Sequence, residues 1–184
     1  MRFHDAPLQG LRVIEPEPHR DDRGLFARTW CREEFAAAGL PIEFVQSSVS
    51  VTAQRGTLRG LHFQRPPSHE GKLVRCTRGR IHDVLVDLRR GSPSYGRHHA
   101  LELDDRSLRA VYVPPGVAHG FQTLCDDVEV LYQMTAPYAP ALADGVRHDD
   151  PAFGIRWPLP VSAIHERDRS YPDFGPERAW GTAA

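Results

Sequence analysis

The chain has 184 residues, 23 of them basic and 24 acidic, for a formal net charge of −1. That balance leaves no basic surplus for a nucleic-acid partner; no apolar run approaches membrane-spanning length, and MRFHDAPLQG lacks the layout of a signal peptide. The length suits one domain over 1–184, with a core that needs no disulfide staples, and the scattered Cys31, Cys76 and Cys125 read as small buried hydrophobes of a reducing compartment, the cytoplasm.

In chain order, only REEFAAAGL (32–40) has helical character, with Gly39 closing it. The rest runs mainly at a period of two. GTLRGLHFQ (56–64) reads as a buried strand in which Arg59 and His62 interrupt Leu58, Leu61 and Phe63, while Gly56 and Gly60 allow a kink or a close approach. KLVRC (72–76) leads through TRGR into HDVLVDL (82–88), a hairpin signal. HALEL (99–103), LRAVYVP (108–114) and VEVLYQM (128–134) are short runs rich in β-branched residues, separated by turn chemistry in GSPSYG (91–96) and LDDRS (103–107). VPPGVAHGFQTL (113–124) sets a rigid Pro114–Pro115–Gly116 turn ahead of a strand carrying His119. The tail is proline-rich and irregular, with enough aromatics to pack onto the body. Strands at this spacing predict an antiparallel sandwich or barrel.

Several polar side chains stand out from that frame. A histidine such as His62 is most often a satisfied core residue, but its titration near neutrality also makes it the usual acid–base group. Lys72 is the single lysine among 23 basic residues. Either coding bias left it by chance, or the position needs a compact ammonium that guanidinium replaces poorly. A proline–glycine turn followed by a strand histidine is typical of cupin-type jelly rolls, whose metal-dependent members add an HxH pair and a glutamate. Here His62 is followed by Phe63 and Gln64, and the adjacent His98 and His99 point to opposite strand faces, so no metal site is expected.

GTLRGLHFQ, GKLVR, RGRIHDVLVDLR, SPSYG, YVPPGVAHGF, LYQMT, YAP and DDPAFGIRWP together resemble, in order, the blocks of the dTDP-4-dehydrorhamnose 3,5-epimerases, cupin-fold nucleotide-sugar epimerases. The resemblance runs from about DDRGLF (21–26) to ERDRSYP (166–172). It implies a mainly β, antiparallel jelly-roll barrel with one or two short helices, normally a homodimer, working without metal or organic cofactor. The implied substrate is a nucleotide-diphosphate sugar: a 4-keto-6-deoxy sugar inverted at C3, C5 or both through an enolate, as in rhamnose and polysaccharide biosynthesis.

By the same resemblance His62 is the base, Asp168 its carboxylate partner, Lys72 the cation at the C4 oxygen, and Tyr132 the acid on the opposite ring face. His119 lines the sugar pocket, Arg23 and Arg59 bind the diphosphate, Phe26 lies at the base-binding end, and Gln46 and Tyr138 are further substrate contacts. Taken alone, Tyr132 would be a core aromatic and Arg23 a solvated loop charge. Three positions depart from the family pattern: Arg28 replaces a common glutamate, Ser48 an asparagine, and Arg167 a lysine. Arg28 and Ser48 leave the nucleotide open, Arg167 is a mild change, and the carbons inverted stay open because single-site epimerases share the same catalytic residues. Two other readings stand beside this one: a different keto-sugar isomerase or dehydratase on the same scaffold, and a non-catalytic sugar-binding cupin.

Overall fold

The computed structural model describes residues 1–181. One sheet has the strand order β1 (Arg2–Asp5), β2 (Arg12–Glu15), β10 (Ala110–Val113), β7 (Lys72–Arg78), β12 (Val128–Met134), β5 (Gln46–Thr52). The other runs β13 (Ala143–Gly145), β6 (Thr57–Gln64), β11 (Val117–Thr123), β8 (Arg80–Asp87), β9 (His98–Asp104), and β14 (Ala163–Ile164) adds a parallel pairing to β6. A separate hairpin joins β3 (His19–Asp21) to β4 (Gly24–Phe26). The mainly β jelly-roll architecture is thus realised as two facing sheets rather than one closed barrel.

Alternation explains why the sheets face each other. Val74, Cys76, Val111, Val128 and Val130 from the first sheet pack with Ile81, Leu85, Leu103, Val117 and Phe121 from the second. Part of each outer face is covered as well. The helix α1 (Arg32–Ala37) sets Phe35 against Ile14, Leu73, Ala110 and Tyr112, with Phe3, Trp30 and Phe44 around it. The tail lays Phe153, Trp157, Phe174 and Trp180 over Leu61, Val84, Val86 and Ala118. Central strands covered on both faces read as nearly continuous apolar runs, as HDVLVDL does.

The helix ends as its sequence predicts. Gly39 takes φ +71°, its N–H donates to Ala36 O (3.0 Å), and Leu40 N–H donates to Phe35 O (2.9 Å), the paired bonds of a Schellman motif.

The hairpin expected through TRGR does not form. β7 pairs with β10 and β12, whereas β8 pairs with β11 and β9 in the opposite sheet. Only Gly79 separates the two strands, too little for a two-residue hairpin loop. With φ +78° it turns a corner between sheets, its N–H donating to Asp105 Oδ2 (2.7 Å) and its carbonyl accepting from Asp105 N–H (3.1 Å).

Candidate active site

The site begins with an irregularity in β6. Arg59 and His62 are three residues apart, so a regular strand would send them to opposite faces. In the ladder with β11, His62 pairs with His119 and Arg59 with Phe121, so two residues of β6 oppose the single Gly120. This bulge returns both side chains to the inner face. It needs two glycines: a Cβ on Gly60 (φ +112°) would lie 2.6 Å from Gly120 Cα, and one on Gly120 would lie 2.7 Å from Arg59 O.

The bulged strand opens a cavity of about 640 Å³ between the two sheets. His62, Arg59 and His119 line it from one sheet, Lys72, Tyr132 and Met134 from the other, and Asp168, Arg167 and Tyr171 from the tail. That volume falls in the range of small-ligand sites.

The tail supplies the partner of His62. β14 docks alongside Thr57 and Leu58, and directly after it the short helix α2 (Glu166–Arg169) is capped by His165, whose Nδ1 accepts from Arg167 N–H (3.1 Å). The turn places Asp168, 3 % exposed, with Oδ1 2.6 Å from His62 Nε2 and Oδ2 accepting from Gly60 N–H (3.1 Å). Burial alone would raise the Asp168 pKa; the hydrogen bond and charge of His62, with the Gly60 N–H, outweigh it and hold the carboxyl below its ordinary value. Arg167 Nη2 also approaches His62 Nε2 at 3.1 Å. One ring nitrogen carries a proton or a lone pair, not both, and the short contact to a carboxylate favours the proton.

Lys72 reaches the same space from β7. Its Nζ donates to His62 O (3.2 Å) and lies 3.4 Å from Glu70 Oε2, and its side chain is 13 % exposed. From the neighbouring strand β12, Tyr132 stands edge-on to His119 of the facing sheet, ring centroids 6.0 Å apart. Burial pushes the Tyr132 phenol well above its ordinary pKa, and the Asp83 charge adds to the effect. The phenol therefore stays protonated at any ordinary working pH. His119 Nε2 is 2.7 Å from Asp83 Oδ1.

Arg59 spans to the edge of the opposite sheet, donating from Nε to Thr52 Oγ1 (2.9 Å) and from Nη2 to Val51 O (3.2 Å). Tyr138 lines the cavity too, its turn held from both sides: Gln46 Oε1 accepts from Tyr138 N–H (3.0 Å) and Gln64 Oε1 from Ala139 N–H (2.7 Å).

Three residues expected at the site are placed elsewhere in the single chain. Gln46 does not line the cavity; its carbonyl oxygen is spent on the Tyr138 backbone. Arg23 is on the β3–β4 hairpin, its side chain 89 % exposed and paired with Asp21 of the same hairpin. Phe26, at the end of that hairpin, is 75 % exposed. A two-stranded ribbon has no inner face on which to bury them.

Sequence reasoning passed over Asp83, Glu70 and Tyr171, all at or beside the cavity. For Asp83 a signal existed, since alternation in HDVLVDL puts Asp83 and Asp87 on the inner face with Leu85. Glu70 and Tyr171 lie outside regular strands, where periodicity says nothing. Among the described residues no group of three or more His, Cys, Asp or Glu side chains converges as a metal site would.

Comparison with known proteins bears on this geometry. The family profile described as dTDP-4-dehydrorhamnose 3,5-epimerase matches residues 5–175. A dTDP-4-dehydrorhamnose 3,5-epimerase of Sinorhizobium fredii is 43% identical over 179 residues, covering 95% of this chain and 90% of that protein. A dTDP-4-dehydrorhamnose 3-epimerase of Streptomyces niveus is 39% identical over 170 residues, covering 92% and 82%. The crystal structure of the 3,5-epimerase from Elizabethkingia anophelis superposes with a TM-score of 0.92 at 33% identity, over 98% of this chain and 99% of that one.

Proposed function

The chain belongs to the dTDP-4-dehydrorhamnose 3,5-epimerase family, and from that premise we propose that it epimerises a nucleotide-linked 4-keto-6-deoxy sugar through an enolate. The observation that carries this reading is the His62–Asp168 pair at 2.6 Å, facing Lys72 and Tyr132 from the opposite sheet across one cavity.

The chemistry follows from the groups present. A proton on a carbon next to a ketone is removed by the imidazole, and the bonding pair moves to the C4 oxygen. With Nε2 protonated toward Asp168, Nδ1 keeps the lone pair that takes the proton, and the carboxylate stabilises the imidazolium. Lys72 supplies a positive point charge where the enolate oxygen forms. Tyr132, held protonated by its burial, returns a proton from the other ring face, and the configuration inverts.

The substrate's other end follows the same reading. Arg59 forks onto the diphosphate, Tyr138 and His119 bound the sugar, and Gln46 acts through Tyr138. Arg23 and Phe26 fit a homodimer in which each exposed hairpin reaches the partner's cavity mouth. Leu25 (44 %) and Phe26 on the hairpin, and Val49 and Val51 on the outward face of edge strand β5, are exposed apolar side chains of the kind that a second copy would cover. Its three free cysteines accord with the cytoplasm.

Relatives are named both as 3,5- and as 3-epimerases, so the carbons inverted are an experimental question. Incubation with dTDP-, UDP- and GDP-linked 4-keto-6-deoxy sugars in D2O, read by NMR, answers it. The expected result is deuterium at C3, C5 or both, with inversion and with the thymidine nucleotide preferred. A protein that binds the sugars without exchange would be a binding module, and migration of the ketone would make it a ketoisomerase.

A further inference from the structure

Among the described residues three carboxylates line the cavity, and two are fully engaged. Asp168 serves His62 and the Gly60 N–H; Asp144 takes Arg65 Nε at 2.6 Å, Arg178 Nη2 at 3.0 Å and the Gly145 N–H at 2.8 Å. Glu70 is different. Its side chain is only 7 % exposed, yet among the described residues no hydrogen bond reaches its carboxylate, and its single polar contact is Lys72 Nζ at 3.4 Å. A carboxylate only accepts, and Glu70 lines the cavity, so a ligand bound there can supply the donor that the protein does not.

The donors nearest to Glu70 are already directed elsewhere: Lys72 Nζ donates to His62 O, and Arg59 to Thr52 Oγ1 and Val51 O. A keto-sugar brings the missing donor, the hydroxyl on the carbon next to the ketone. Vicinal ring oxygens lie about one hydrogen-bond length apart, as do Lys72 Nζ and Glu70 Oε2. We propose that Glu70 is a substrate-binding residue that accepts a hydrogen bond from the C3 hydroxyl while holding Lys72 at the adjacent C4 oxygen. The inference rests on the epimerase reading for the position of C4. It makes Glu70 a reader of C3 configuration, since inversion swings the hydroxyl to the other face of the ring.

The test is a cycle between one side chain and one hydroxyl. Solvent-deuterium incorporation next to the ketone and KM are measured for wild type, Glu70→Ala and the isosteric Glu70→Gln. Each is compared on the preferred 4-keto-6-deoxy sugar nucleotide and on its 3-deoxy analogue. In the wild type, losing the hydroxyl should raise KM about tenfold or more, the scale of a hydrogen bond to a charged group. In Glu70→Ala the two compounds should differ less than twofold, and Glu70→Gln, with a neutral acceptor, should fall between. An undiminished preference for the hydroxyl in both variants would overturn the assignment and leave Glu70 a counterion of Lys72 alone. Failure of the wild type itself to exchange protons would instead overturn the epimerase reading.

Discussion

Gly60 and Gly120 meet backbone to backbone where β6 bulges against β11, and no side chain fits on either. A Cβ on Gly60 would also lie 2.7 Å from His119 O, with φ at +112°. Gly60→Ala should therefore destabilise the fold by roughly 2–4 kcal/mol through strain and displaced backbone. Because Asp168 also holds the Gly60 N–H, activity should fall even where the variant folds. Gly91→Ala, with nothing within 4 Å of the added atom, should change stability by less than about 0.5 kcal/mol. Thermal melts of the two variants are the check.

The His62–Asp168 pair should behave as one unit. His62→Ala should abolish deuterium exchange at the ring carbons. Asp168→Asn should lower kcat by about 10²–10⁴ while KM changes little, because a neutral amide cannot stabilise the imidazolium. Activity of His62→Ala within tenfold of wild type would remove His62 from the role of base.

Tyr132→Phe separates proton removal from proton return. The ring and its packing on His119 remain; only the phenol is lost. Exchange should continue with retained configuration, while inversion drops by about 10²-fold or more. Unimpaired inversion would assign the acid to water or another side chain.

Lys72→Arg should be nearly as harmful as Lys72→Met, despite the conserved charge. The ammonium sits in a small space between His62 O and Glu70, and a planar guanidinium cannot place its charge at the same point. Loss of such a donor costs about 10²–10³ in kcat, with little change in KM, since the negative charge appears only after proton removal. A large rise in KM at constant kcat would mark Lys72 as a ground-state contact.

Acid should weaken the turn that follows β8. Asp87 is fully buried and accepts from Arg89 Nε and Nη2 (both 2.8 Å), Ser92 and Ser94 Oγ (2.6 Å). Burial would raise its pKa, but these bonds, Arg89 first, bring it below the ordinary 3.8. A carboxyl lowered in the folded state stabilises above the unfolded value and loses that contribution as pH falls through the folded one. Asp87→Asn should therefore melt well below wild type at pH 7, by about 2–3 kcal/mol. The gap should narrow below about pH 4, as melts from pH 7 to pH 3 would show.

What the sequence determined by itself was local. Period-two runs marked β7, β8, β9, β10 and β12, and Gly39 marked the end of α1, because alternation and a left-handed cap depend on neighbours in the chain. The ordered motifs named the chemical groups, His62, Lys72, Tyr132 and Asp168. Tertiary structure alone decided how they meet. Gly79 sends β7 and β8 to different sheets where a hairpin was expected, since one residue with positive φ can turn a corner as readily as a loop can. The bulge at Gly60 brings Arg59 and His62 to one face against their spacing, and only pairing with β11 creates it. The tail joins Asp168 to a histidine 106 residues away through β14 and a four-residue helix that no periodicity announces. Glu70 gains its meaning only from burial beside Lys72, because an unserved acceptor is a property of the packed cavity and not of the residue.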